Sequence, residues 1–436
     1  MNHLDIVFEQ KKASYLETLK ELVAIDTHCL GHGIKGGLEK KGQEYMIALF
    51  ENMGANQIHV DQMEEAIIQK SIQLNNEGNP NHNYTDRFNV HARFLGNGGR
   101  SLLFNGHMDT MPAGNLEAWT NSPHEPTIKD GKLYGLGAAD MKAGLLAATL
   151  AVKFLKDAGE ELPGDVIISS VVDEEGGGNG SIQAAMQGYK ADGVVVCEPS
   201  TDELILAHMG FVFFRIKVKG HSNHSGAKWK GISAIDKSIK LIKALNELEH
   251  SWLLQYKHPL LPPPNLNVGV IRGGTAGSIV PGECFFEICV HYLPKLMSYN
   301  QIKKEVEDQI FKASQGDDWL SKNLPDVEIY QAGGGFEQDA KHPIVASFQK
   351  AYQETTGSEL KISGSPAGCD SRIWKNIAGC ETIQFGPGRL EECHAIDEYV
   401  EIESFYRAIK VYAQFIMNWG KKNLYKQMSK ILDKYI

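Results

Sequence analysis

Five residues carry side chains that bind metals: His107, Asp140, Glu175, Glu198 and, far along in sequence, His394. His107 closes the short apolar run that starts at Leu102. Glu175 follows the apolar run Val166 to Val172, and Glu198 follows Val194-Val195-Val196. Asp140 stands at the mouth of a long apolar helical pattern. Two imidazoles and three carboxylates, with no thiolate, suit catalytic rather than structural zinc. Five ligands are too many for one tetrahedral ion with an open position. They fit two ions joined by one carboxylate and one water, an arrangement in which metals about 3.5–4 Å apart acidify the water and polarise a carbonyl. Glu174, beside Glu175, is then free to act as general base. Asp109 lies two residues after His107, on the same side of a strand, where it can hold the second ring nitrogen.

Those residues need a sheet with covered faces to position them. At 436 residues the chain is too long for one ordinary core, so two or more domains are expected. Continuous apolar strands at 166–172 and 194–196, alternating with helical patterns such as 141–155, are the mark of an α/β sheet, whose sites lie at strand ends. From about 210 the texture changes. Phe214, Ile216 and Val218 alternate with Arg215, Lys217 and Lys219, and Cys284, Phe286, Ile288 and Val290 alternate with polar neighbours. Helical patterns at 232–249 and 299–313 complete an α+β sandwich, read as a domain spanning 210–330 inserted between catalytic parts 1–209 and 331–436. Helices are also expected at 5–25 and 42–53, strands within 56–74, and a helical tail at the end. The polar, Asn-rich stretch 75–87 reads as an insertion loop open to motion.

Composition narrows the function classes. A net charge of −10 argues against nucleic acid as a partner, and no run of apolar residues is long enough to span a membrane. Seven scattered cysteines without a Cys-x-x-Cys pair, and an N-terminus without an apolar core, fit free thiols in a cytoplasmic protein.

The motifs also carry a resemblance. Asn105-Gly106-His107-Met108-Asp109, Trp119 through Pro126, Asp130 through Gly135 and Ala139-Asp140-Met141-Lys142-Ala143-Gly144 are followed in order by Asp173-Glu174-Glu175, Glu198-Pro199 and His394. Along nearly its whole length the chain resembles the co-catalytic zinc amidohydrolases that include acetylornithine deacetylase, succinyl-diaminopimelate desuccinylase, aminoacylase and carboxypeptidase G. The resemblance implies a zinc-exopeptidase-like α/β fold, with a mixed, mostly parallel sheet and helices on both faces. It implies that 210–330 is a lid and dimerisation domain. It makes Asp140 the bridging ligand, His107, Glu175, Glu198 and His394 the terminal ligands, Glu174 the base, and Asp109 the partner of His107. It also implies a cis peptide after Asp140. Gly220 through Ser225 resembles a turn whose histidine, His224 here, reaches the partner subunit's site and stabilises an oxyanion. Gly368 through Arg372 resembles a segment whose arginine holds a substrate carboxylate; a structural ion pair is the other role open to Arg372.

Two positions depart from the pattern. Ser278 stands where many relatives carry asparagine, and His291 where many carry arginine. Both bear on whether the substrate has a carboxylate. The expected activity is cleavage of a small N-acyl amino acid or N-acyl amine by a homodimer holding two divalent ions, zinc first and cobalt or manganese as alternatives. A dipeptidase or carboxypeptidase and an N-formyl amine deformylase share the chemistry. From other classes stand a metal- or peptide-binding protein without catalysis, and an assembly protein with a structural metal.

Overall fold

β-branched residues crowd the runs Val166–Val171 and Gly193–Val196, and both form strands in the computed structural model, which describes residues 3–421. They belong to a nine-stranded sheet. Its centre runs Thr382–Gln384, Gly193–Val196, Leu102–His107, Val166–Val171, all parallel. Beyond Val166–Val171 come the antiparallel strands Phe88–Phe94 and Gln57–Gln62. On the other edge Leu204–His208 pairs antiparallel with Thr382–Gln384 and Phe336–Glu337, and parallel with Ile362–Ser365. The sheet is therefore parallel in the middle and largely antiparallel at its margins.

Both faces are covered, which explains the continuous apolarity of the central strands. Leu102, Phe104 and Val195 pack with the helices Ala143–Asp157 and Ile402–Gly420, whereas Leu103, Val194 and Val196 pack on the opposite side with Ala184 and Trp374. Leu145, Leu146 and Leu150 are fully buried, and each contributes about 1.5–3 kcal/mol by leaving water. Gly144 sets how near this helix comes to the sheet: a Cβ there would lie 1.9 Å from the carbonyl oxygen of Cys197. That approach brings the residues before the helix up to the strand end that carries Glu198.

A second, antiparallel sheet has the order Asn265–Gly273, Glu283–Tyr292, Gly210–Lys219, Asp326–Gly333. Val212, Phe214, Ile216 and Val218 face the helices Ala234–Gln255 and Tyr299–Gln315 in a core of their own. The opposite face carries charge, with Arg215 donating to Glu287 at 2.8 Å and Lys217 to Glu328 at 3.1 Å.

Two expectations need correction. The segment expected to hold strands has one, Gln57–Gln62, followed by the helix Glu65–Asn75, in which only Ile68 and Ser71 are buried. So thin an apolar stripe gives little helical signal. The Asn-rich stretch is not a loose insertion. Glu77, Asn79, His82 and Arg87 are all buried in it. Arg87 Nε donates to Glu39 at 3.0 Å and Nη2 to Asp173 at 2.9 Å, while His82 Nδ1 lies 2.7 Å from the other oxygen of Asp173. The buried charged residues of the stretch are held by internal ion pairs, while Asn76, Asn81, Asn83 and Asp86 face solvent. The helical tail is present through Ile402–Gly420; its continuation past residue 421 lies outside the described residues.

Candidate active site

Parallel strands in register bring their carboxyl ends level. His107 pairs with Val171, and Asn105 with Val196, so His107, the Asp173-Glu174-Glu175 turn and Glu198 emerge side by side. Asp140 arrives from the turn Ala138–Lys142, where the Asp140–Met141 peptide is cis. His394 arrives from a loop tied down on its far side, where Asp397 accepts from the backbone of Thr120 at 2.7 Å and from its hydroxyl at 2.6 Å.

The five residues meet. His107 Nε2 lies 3.1 Å from Asp140 Oδ1 and 3.7 Å from Glu198 Oε1. His394 Nε2 lies 3.3 Å from Asp140 Oδ2 and 3.0 Å from Glu175 Oε1. Asp140 thus turns one oxygen to each imidazole, with Glu198 on one flank and Glu175 on the other. Glu174 joins them: one ligand atom each from His107, Glu174 and Glu198 lies within 4.8 Å of the others.

The donor chemistry fits divalent cations. His107 Nδ1 lies 2.8 Å from the backbone carbonyl of Asp109, which only accepts, so Nδ1 carries the proton. Nε2 faces carboxylate oxygens: without a cation it holds a second proton and donates to Asp140, and a divalent ion that took that proton's place would receive the Nε2 lone pair. Charge crowding shows how strongly the cluster draws positive charge. Burial alone would hold the His107 pKa down, but the hydrogen bond to Asp140 and the charges of Glu198 and Asp109 lift it well above its usual value. Burial, reinforced by the charge of Asp370, pushes Glu174 up; burial, reinforced by Asp140 against the pull of His107, pushes Glu198 up. Asp140 goes the other way: against burial, hydrogen bonds from His107 and His394 hold its carboxyl below the usual range. The hydrogen bond to Asp140, then that to Glu175, raises His394 to about 11. Buried carboxylates in this number call for positive charge.

Asp109 and Arg372 sit differently from their anticipated roles, and His224 lies away from this cluster. The carboxylate of Asp109 is 3.7 Å from His107 Nδ1; it accepts instead the backbone N–H of Glu174 at 3.2 Å and of Glu175 at 3.0 Å. Its carbonyl holds the imidazole, and its side chain holds the turn bearing the two glutamates. His224 is exposed on the four-stranded sheet's domain, where it caps a short turn by accepting from Gly226 at 3.1 Å. Neither His224 nor Arg372 lines the cleft of about 260 Å³ over the cluster, among the described residues. Arg372 is buried in an ion pair with Glu77.

Glu398 carries no metal-ligand signal in the sequence, yet it fixes the site. Fully enclosed, it accepts the N–H groups of Gly137, Ala139 and Asp140 at 2.9, 2.7 and 3.0 Å. Burial, with the neighbouring Asp140 charge, pushes its pKa to about 8 even though those bonds favour the charged form. Its position four residues after His394 was the available clue. Glu398→Ala is expected to weaken metal retention by about 10–100-fold, the usual cost of losing support behind a ligand; titration of the metal-free variant measures it.

Comparisons with known proteins agree with the geometry. The profile described as Peptidase family M20/M25/M40 matches residues 103–418. The N-formyl-4-amino-5-aminomethyl-2-methylpyrimidine deformylase of Halalkalibacterium halodurans is 35% identical over 344 residues, covering 73% of this chain and 79% of its own. The acetylornithine deacetylase of Proteus mirabilis is 28% identical over 84% of this chain and 93% of its own. Among solved structures, the M20 family metallo-carboxypeptidase Sso-CP2 from Sulfolobus solfataricus superposes with a TM-score of 0.74 over 93% of this chain and 99% of that one, at 17% identity, a likeness of fold.

Proposed function

The chain belongs to Peptidase family M20/M25/M40, and from that membership we propose that it is a two-metal amidohydrolase that removes the acyl group from a small N-acyl amine. The observation that carries the reading is Asp140, whose two oxygens face His107 and His394 separately while Glu198 and Glu175 flank them. In this reading His107, Asp140 and Glu198 hold one ion, and His394, Asp140 and Glu175 the other. Bound there, divalent ions, zinc first, supply Lewis acidity that polarises the scissile carbonyl and lowers the pKa of water. The remaining work falls to the protein. The side chain of Glu174 has no hydrogen-bond partner among the described residues and lines the cleft, so its carboxylate is free to take a proton from the attacking water. It then passes that proton to the amine nitrogen as the C–N bond breaks. Asp109 keeps Glu174 in place through the backbone bond already described.

The four-stranded unit, 210–330 in sequence, is assigned as the lid and dimerisation domain. Its edge strand Asn265–Gly273 and the exposed His224 support that assignment, with His224 of a second copy placed to steady the oxyanion. Similarity to a deformylase and a deacetylase supports acyl amides over peptides as substrates. Amine release by zinc- or cobalt-loaded protein from formyl, acetyl and succinyl amides, set against dipeptides, tests the reading. Release from acyl amides is the expected result; release from dipeptides alone would replace it with a peptidase, and none from any amide, with metal bound, would leave a metal-binding protein.

A further inference from the structure

Each nitrogen of the Arg372 guanidinium already donates a hydrogen bond inside the protein. Its Nε donates to Glu77 Oε2 at 3.1 Å, Nη1 to the carbonyl of Cys369 at 2.7 Å, and Nη2 to the carbonyl of Gly177 at 3.0 Å. The ring of Phe211 covers the guanidinium at 5.3 Å. Only 2% of the arginine and 4% of Glu77 are exposed. Glu77 is itself held, its second oxygen accepting the Gly334 N–H. A guanidinium already neutralised by a buried carboxylate offers little to a second one, which would have to shed its water without gaining a matched charge.

The cleft itself offers no substitute. Among the described residues lining it there is no lysine or arginine; the neutral polar groups are Ser365, Cys369, Gln384 and Cys393. His291, where many relatives carry arginine, lies on the strand Glu283–Tyr292 with its Nδ1 3.2 Å from Asn265 Oδ1. Burial lowers its pKa, so the ring is neutral at neutral pH.

We propose that Glu77 is a specificity-determining residue: by occupying Arg372 it makes the enzyme select acyl amines that carry no carboxylate next to the scissile amide. This rests on the amide-hydrolase reading above and narrows its substrate class. Glu77 acts from the Asn-rich stretch, 295 positions before its partner in sequence.

The test uses the metal-loaded enzyme and pairs of amides that differ only in a carboxylate: N-formylalanine against N-formylethylamine, and the two N-acetyl counterparts. The wild type is expected to favour the carboxylate-free member by about tenfold or more in kcat/KM, the ratio that 1.4 kcal/mol represents. Glu77→Gln leaves unmatched the charge of Arg372, whose field reaches Glu174 in the cleft, and is expected to shift that ratio about tenfold toward the carboxylate-bearing member, through KM. A purely structural role for Glu77 would slow both members alike and leave the ratio unchanged, which would overturn the proposal. So would a wild type that turns over the carboxylate-bearing member equally well or better, while leaving the hydrolase reading intact. Hydrolysis of neither member in either pair would overturn this proposal, and the hydrolase reading with it only if the wider panel of amides also failed. Glu77→Asp, which keeps the charge but shortens its reach to Arg372, is the second variant: a smaller shift in the same direction is expected, and an unchanged ratio in the folded enzyme would overturn the proposal.

Discussion

Glu174→Gln is expected to reduce turnover by about 10²–10⁴-fold, the usual contribution of a positioned acid–base group, and to leave metal content unchanged. Both halves of the result matter. Glu174 follows Asp173, whose carboxylate is locked to Arg87 and His82, and precedes Glu175, which faces His394. The backbone N–H groups of Glu174 and Glu175 are pinned by Asp109. An amide in place of the carboxylate keeps shape and volume in that frame but cannot accept the proton. The loss should therefore appear in kcat with little change in KM, the pattern of an interaction made only in the transition state. Steady-state rates and metal analysis on the same sample check it. Loss of metal together with rate would instead make Glu174 a ligand, which its proximity to His107 and Glu198 also permits geometrically.

Removal of the metals carries the second large effect. Chelation is expected to abolish amide cleavage, and restoring zinc or cobalt to return it. It should also lower stability, because ions that bind only the folded state contribute about 2.7 kcal/mol each at a free concentration one hundred times the dissociation constant. The carboxylates explain why the second effect accompanies the first. Without cations, burial and mutual repulsion work against charged Glu174 and Glu198, as their raised pKa values record. Thermal unfolding of metal-free and metal-loaded protein measures the difference. A structural ion would survive mild chelation, and activity would persist with it.

The sequence made some of this legible and hid the rest for identifiable reasons. His107, Glu175 and Glu198 each follow an apolar run that becomes a central strand, and the strands' parallel register then carries them to one edge of the sheet. Local pattern and site position were here the same information. The helix Glu65–Asn75 was hidden because a helix lying with one narrow stripe inward looks polar throughout. Glu77, Arg87 and Glu39 were hidden for a different reason. A charged residue in a polar stretch announces solvent, and only a partner far along the chain reveals burial. The same holds for Arg372: its motif was readable, but its occupation by Glu77 was not. Asp109 was correctly placed beside His107, yet which of its oxygens does the holding depends on the turn after the strand Val166–Val171.

The interruption of the nine-stranded sheet by residues 210–333 also constrains the order in which the chain becomes a folded object. The strand Thr382–Gln384 joins the parallel core beside Gly193–Val196, and Phe336–Glu337 and Ile362–Ser365, both paired with Leu204–His208, also come after the interruption. As the chain leaves the ribosome, His107, Asp140, Glu175 and Glu198 are in hand long before His394 and Glu398 exist. The growing sheet meanwhile keeps one side of Gly193–Val196 unpaired, the kind of open strand that invites association with other chains. The four-stranded unit has its own core and both ends of its sheet in one contiguous segment, so it can finish first. The candidate ligand set and the pairing of Gly193–Val196 are therefore both complete only once residues 382–394 have been made.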